Sequence, residues 1–265
     1  MTAIALTIAG SDSSGGAGIQ ADLKTFAALG VYGASAITAL TAQNTQGVTG
    51  IHDVPPDFIV AQIDAVFADL DVGAVKIGML SQSAAIVSIA KALDRHKARN
   101  IVLDPVMIAA SGARLLANDA VATLRKELIS RALLITPNLP EAAALTGAPI
   151  AKTEADMAAQ AKQLLDAGAR NVLIKGGHGE GPESVDLLIG PDLNVRLAAP
   201  RYPSRNTHGT GCTLSSAVAA GLAKSLDLAA AVRAAKDYVT AAIAAADKLH
   251  IGHGHGPLHH FHAHW

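Results

Sequence analysis

The segment Asn206-Thr207-His208-Gly209-Thr210-Gly211-Cys212-Thr213 opens an alanine-rich stretch with helical spacing. Its glycines free successive backbone N–H groups to point at one spot, and a helix start adds positive potential there. Such a cradle stabilises charge gathering on a phosphoryl group in transfer. Cys212 falls in the helix's first turn, where a thiol pKa tends to fall. The plainer alternative is a glycine-rich helix start with a small buried cysteine.

Other polar residues stand just after apolar runs. Gly10-Ser11-Asp12-Ser13-Ser14-Gly15-Gly16-Ala17-Gly18 follows the first of them. Its glycines allow close approach to a ligand, although a flexible turn reads the same way. The run matches neither the Walker pattern nor G-x-G-x-x-G. Thr41-Ala42-Gln43-Asn44-Thr45 carries amides that can both donate and accept, which suits the edge of a heterocycle or a capped polar turn. Asp104 follows Ile101-Val102-Leu103, and Asn138 and Glu141 follow Leu133-Leu134-Ile135. Carboxylates so placed can hold Mg²⁺ through water beside phosphates. Asn138 and Glu141, three apart, also fit a capping box, and the two roles are compatible. Lys175 ends the run Asn171–Ile174 and leads into Gly176-Gly177-His178, a place to meet a phosphate or to stand as an exposed edge lysine.

These residues need a scaffold that brings strand ends together. Strands are expected at Ile4–Ala9, Ala34–Leu40, Ala74–Ile77, Asn100–Leu103, Leu133–Ile135 and Asn171–Lys175. Val185–Ile189 and Asn194–Leu197 read as a strand pair joined by Gly-Pro-Asp. Helices are expected at Gly18–Leu29, Pro56–Leu70, Ser83–His96, Asp119–Ile129, Leu139–Leu145, Thr153–Ala167, Gly211–Leu226 and Leu228–Leu249. The alternation implies an α/β protein, one three-layer α/β/α domain over residues 1–265 with a largely parallel central sheet. Ligands in such sheets bind beyond the carboxyl ends of the strands.

Composition narrows the function. Of 265 residues, half are hydrophobic and 16% charged, so a large core forms. Basic and acidic residues number 21 and 22, and aromatics are only 3%. Neither a phosphate-backbone grip nor a base-stacking platform follows, so no nucleic-acid partner is expected. The uncharged stretch Thr25–Ile51 is interrupted by Gly30, Gly33, Gln43, Asn44 and Gln46, so no membrane span is expected. The apolar start MTAIALTIAG lacks a preceding Lys or Arg and reads as a first strand rather than a leader. One cysteine fits a reducing compartment such as the cytoplasm.

Together these features resemble the ribokinase-like superfamily, and within it the hydroxymethylpyrimidine/phosphomethylpyrimidine kinases of thiamine biosynthesis. The likeness rests on AGSDSSGGAGIQADLKTFAALG, ITALTAQNT, KIGML, VLDPVM, ITPNLPEAAALTG, IKGGH, NTHGTGCTLSSA and GHGPLHHF, spread over nearly the whole chain. It implies a ribokinase-like sandwich that uses ATP and Mg²⁺ to phosphorylate 4-amino-5-hydroxymethyl-2-methylpyrimidine and then its monophosphate. It implies that Gln43 reads the pyrimidine, with Gly10, Asp22, Thr41, Met79 and Val106 around it. Gly209, Thr210 and Gly211 match the anion hole. Asp104, Asn138 and Glu141 match the metal and phosphate shell, with Asp104 and Glu141 nearest Mg²⁺ through water, and Lys175 a phosphate contact. Cys212 stands where most of the superfamily carries an aspartate base. A thiolate base predicts that Cys212→Ala slows the first phosphorylation more than the second, whose nucleophile is already ionised.

A pyridoxal kinase of the same superfamily is the nearest alternative, and a non-catalytic vitamin-binding protein the alternative from another class. A homodimer is compatible with the fold. Gly47–Asp53 and Gly176–Glu183 are the candidate lids. The tail from His250 holds seven histidines, which suggests zinc. It lacks cysteine and acidic ligands, so zinc is not the expected reading.

Overall fold

The central strands are apolar on both faces because helices cover both. A computed structural model describes residues 1–108, 115–177, 179 and 181–265. Its strands are β1 (Ile4–Ala9), β2 (Tyr32–Ile37), β3 (Ala39–Asn44), β4 (Gly47–Asp53), β5 (Ala74–Ile77), β6 (Ile101–Leu103), β7 (Leu134–Ile135), β8 (Val172–Lys175), β9 (Glu183–Gly190) and β10 (Leu193–Pro200). Its helices are α1 (Gly18–Ala28), α2 (Pro56–Asp69), α3 (Ser83–Arg95), α4 (Asn118–Glu127), α5 (Leu139–Thr146), α6 (Glu154–Asp166), α7 (Thr210–Ala223) and α8 (Leu228–Ala244).

An eight-stranded sheet runs in the order β10-β9-β8-β7-β6-β5-β1-β2. From β8 to β2 every pairing is parallel, while β9 and β10 form an antiparallel edge. Alternate residues feed two cores. Leu6, Ile8, Val75, Ile77, Ile101, Leu103, Val172 and Ile174 face α2–α6. Ala5, Ala74, Val102 and Leu173 face the side of α7 and α8. This is the expected three-layer α/β/α sandwich with its largely parallel sheet. Among the described residues, no helix is long and apolar enough to cross a membrane.

One expected strand is two. Ala34–Leu40 is broken near Thr38, where β2 ends and β3 begins. Its hydroxyl donates to the Met79 carbonyl at 2.8 Å, and its N–H to the Ala9 carbonyl at 3.0 Å. The chain thereby leaves the main sheet, and β3 pairs with β4 as a separate antiparallel hairpin. Thr41–Asn44 therefore lies in a strand, not in a turn. The expected flap Gly47–Asp53 is that strand's partner. Of the other expected lid, His178 and Glu180 lie outside the described residues, and Glu183 already begins β9.

Candidate active site

The start of α7 stands over the ends of β6 and β8. Gly209 is its N-cap with φ of 83°, and any Cβ there would overlap the Gly16 carbonyl oxygen. Only glycine lets the two glycine-rich runs touch. A Cβ at Gly211 would lie 3.1 Å from Lys175 Nζ and 3.5 Å from Asp104 Oδ2. The backbone cradle, the ammonium and the carboxylate thus share one space.

Lys175 donates to Asp104 Oδ1 at 2.7 Å and lies 4.0 Å from Glu141 Oε2. Burial works against its charge, but Asp104 and Glu141 outweigh that and hold its pKa above the usual lysine value. Glu141 is pushed up by burial and by Asp104, with Lys175 pulling the other way. It also completes the expected capping box. Glu141 N donates to Asn138 Oδ1 at 2.9 Å, and Asn138 N donates to Glu141 Oε2 at 2.8 Å. Asp104 is further held by the hydroxyls of Thr136 at 3.2 Å and Ser215 at 3.4 Å.

On the other side of the site, residues 11–13 are zipped to β3. Ser11 N donates to the Ala39 carbonyl at 2.8 Å, and the Thr41 hydroxyl to the Ser11 carbonyl at 2.9 Å. Ser13 Oγ bonds both Gln43 O and Gln43 N, at 2.7 and 2.8 Å. The β3–β4 register shifts between Ala42 and Gln43, a bulge of the kind that re-aims a side chain. The Gln43 amide lies 3.2 Å from the Thr41 hydroxyl and 3.3 Å from His208 Nε2. His208 immediately precedes Gly209, so Gln43 and the cradle belong to one site. Met79 borders it as well, since a Cβ on Gly10 would sit 2.9 Å from its sulfur. Val106, half-buried, donates its N–H to the Asp104 carbonyl at 2.8 Å.

Two expectations need correction. Asp22 does not face the site. It is fully enclosed, and its carboxylate is taken by Lys76 at 2.8 and 2.9 Å, Thr7 at 2.6 Å and Ser216 at 2.6 Å. It fixes α1 and α7 to β5 rather than meeting a ligand. The Cys212 thiol is not lowered by the helix start. Desolvation pushes it up to about 11; Lys76 and the Gly18 N–H pull it down, while Asp22 and Asp104 add to the rise. At neutral pH it is a thiol.

Three groups escaped the sequence reading. Asp12 accepts from His208 Nε2 at 2.8 Å as well as from Ser14, Gly16 and Ala17. Lys76 is the buried partner of Asp22. The segment 253–257 threads between the hairpin and the cradle. His255 N donates to the Thr45 carbonyl at 2.9 Å, and His208 N to the Gly256 carbonyl at 3.0 Å. The histidine within NTHGTGC and the lone lysine inside AVKI were the available signals.

An open groove of about 570 Å³ runs between β10 and α8, lined by Ala198, Pro200, Tyr202, Ala241, Ala245 and Lys248, among others. Ser204 and Asn206, just before the cradle, both donate to Asp247 beside it, at 2.5 and 3.0 Å.

The family model described as Phosphomethylpyrimidine kinase matches residues 12–259. A hydroxymethylpyrimidine/phosphomethylpyrimidine kinase of Rhizobium meliloti (strain 1021) is 62% identical, with 100% of this chain and 99% of that protein aligned. The crystal structure of phosphomethylpyrimidine kinase from Clostridium difficile 630 superposes with a TM-score of 0.80 at 46% identity, covering 91% of this chain and 99% of that one. The pyridoxal kinase of Staphylococcus aureus, solved with AMP-PCP and pyridoxal, gives a TM-score of 0.90 at 32% identity, covering 100% and 95%.

Proposed function

The chain belongs to the phosphomethylpyrimidine kinase family, and on that footing we propose that it works in thiamine biosynthesis. It transfers the γ-phosphoryl group of ATP to the hydroxymethyl oxygen of 4-amino-5-hydroxymethyl-2-methylpyrimidine, releasing ADP and a proton. It then transfers a second phosphoryl group to the monophosphate. The observation that carries this reading is the meeting of Gln43 and the Gly209–Gly211 cradle through His208. A flat heterocycle held by the amide has its side arm next to a phosphoryl site.

Residues 1–265 act as one kinase domain in this reading. The Gly211 amide and the Lys175 ammonium face the transferred group, where charge accumulates, while the Thr210 N–H donates to the Thr207 carbonyl at 3.2 Å and shapes the turn. Met79 and Val106 border the ring. The groove between β10 and α8 suits the adenosine half of ATP, because residues 202–206 lead from it directly into the cradle. Asp104 and Glu141 fit Mg²⁺ by chemistry, being oxygen donors flanking one ammonium. Among the described residues no three potential ligands converge for a metal, so these carboxylates would hold it with water and phosphate oxygens. Mg²⁺ would supply charge neutralisation at the phosphates. The reducing cytoplasm suits an enzyme whose one cysteine lines its site.

A protonated Cys212 changes the expected role of that residue. Phosphoryl transfer through a loose transition state needs little base catalysis, and a thiol supplies little. Cys212→Ala therefore lowers both phosphorylations by a similar factor, under about tenfold. Rates for the alcohol and the monophosphate, measured separately, check this. A loss confined to the first step would restore the thiolate base.

The function itself is tested by following ATP with the aminopyrimidine alcohol by phosphorus NMR. Monophosphate then diphosphate should form, with two ADP per pyrimidine. A higher kcat/KM for pyridoxal than for the aminopyrimidine would overturn the assignment.

A further inference from the structure

We infer that Asp12 and His208 form a positioning pair that fixes which way round the Gln43 amide faces, and thereby makes the site choose an amino over an oxo group on the pyrimidine. The inference rests on the pyrimidine kinase reading and deepens it.

The chain of donors and acceptors runs in one direction. Asp12 is held ionised: burial opposes its charge, but hydrogen bonds from His208, Ser14 and Ala17 keep its carboxyl well below the usual range. A carboxylate only accepts, so the proton of His208 must sit on Nε2, 2.8 Å from Asp12 Oδ2. That N–H also faces the Gln43 amide at 3.3 Å, and two N–H groups cannot bond to each other. As placed, the amide turns its nitrogen to His208 and its oxygen to the Thr41 hydroxyl. The reversed amide, oxygen toward His208 and nitrogen toward Thr41, is the one that satisfies these surroundings. The Thr41 hydroxyl can accept there because its own proton goes to the Ser11 carbonyl at 2.9 Å. Every donor then has an acceptor.

Gln43 is only half-buried, which leaves an edge of its amide for a ligand. That edge offers one C=O and one N–H in fixed order. A 4-aminopyrimidine presents an amino donor beside a ring-nitrogen acceptor, and the 4-oxo analogue presents the reverse. Neither ring can turn over, because its hydroxymethyl arm must meet the cradle. His208 is itself locked: it is 7% exposed, its ring edge abuts Gly16, and its backbone N–H donates to the Gly256 carbonyl.

The test compares kcat/KM for the 4-amino alcohol and its 4-oxo analogue. The wild type should favour the amino compound by about 100-fold or more, since the wrong edge leaves buried polar groups unpaired. In His208→Leu the amide is free to turn, and the ratio should fall at least about tenfold, mainly through KM. His208→Gln, which keeps a donor near Nε2, should restore most of it. Asp12→Asn tests the same point without altering the ring, and its ratio should fall too. A wild type that uses both analogues within about threefold overturns the inference, and so do variants that slow both substrates in parallel. Failure of the wild type to phosphorylate the amino compound would instead sink the pyrimidine kinase reading.

Discussion

Lys175→Met should lower kcat by about 10³-fold while changing KM for the pyrimidine less than about threefold. The ammonium bonds Asp104 at 2.7 Å, lies 4.0 Å from Glu141, and sits under the first turn of α7. In the proposed reaction it stands where charge grows during transfer, while the ring is read by Gln43 on the hairpin. Methionine keeps the stem and removes the charge. It also leaves two buried carboxylates facing each other, so Glu141 should hold its proton more firmly. Steady-state kinetics with coupled ADP detection checks the split. An increase in KM at constant kcat would assign Lys175 to ground-state binding alone.

Lys76→Met should destabilise the fold by about 3–5 kcal/mol, because it strands the Asp22 carboxylate in a site with 0% exposure. For a chain of this size that is a fall in Tm of roughly 6–20 °C. Thr7 and Ser216 still donate to Asp22 but carry no charge to balance it. The double variant Lys76→Met with Asp22→Leu should recover much of the loss, since an apolar pair replaces a buried charge. Calorimetry of the three proteins decides the matter. A single variant as stable as the parent would mean that Asp22 takes up a proton with little strain.

These two lysines also mark what the sequence could and could not disclose. Lys175 was legible because it ends an apolar strand beside glycines, at the edge where parallel sheets bind ligands. Strand β5 was legible to the residue, since burial on both faces leaves an apolar run broken only by Lys76. The lysine inside it announces that a counter-charge exists. Asp22 lies 54 positions away on α1, and no local pattern connects them. The α5 capping box was readable because its two bonds span three residues. The β3–β4 hairpin was not, because β3 buries Thr41 while exposing Leu40 and Ala42, and β4 is largely exposed, so no apolar alternation marks either strand. Cys212 was misjudged for a related reason. A helix start alone would lower a thiol, but the desolvation and carboxylates that reverse this come from elsewhere in the chain.

The state of that sulfur reaches beyond phosphoryl transfer. Peroxides and alkylating reagents attack the thiolate, and at neutral pH a thiol of about 11 supplies it in only on the order of one molecule in ten thousand. Cys212 should therefore react slowly with such reagents, although it stands beside the proposed phosphoryl site. The protein should accordingly keep its activity through a peroxide exposure that silences an enzyme built on a reactive cysteine, as rates assayed before and after treatment would show.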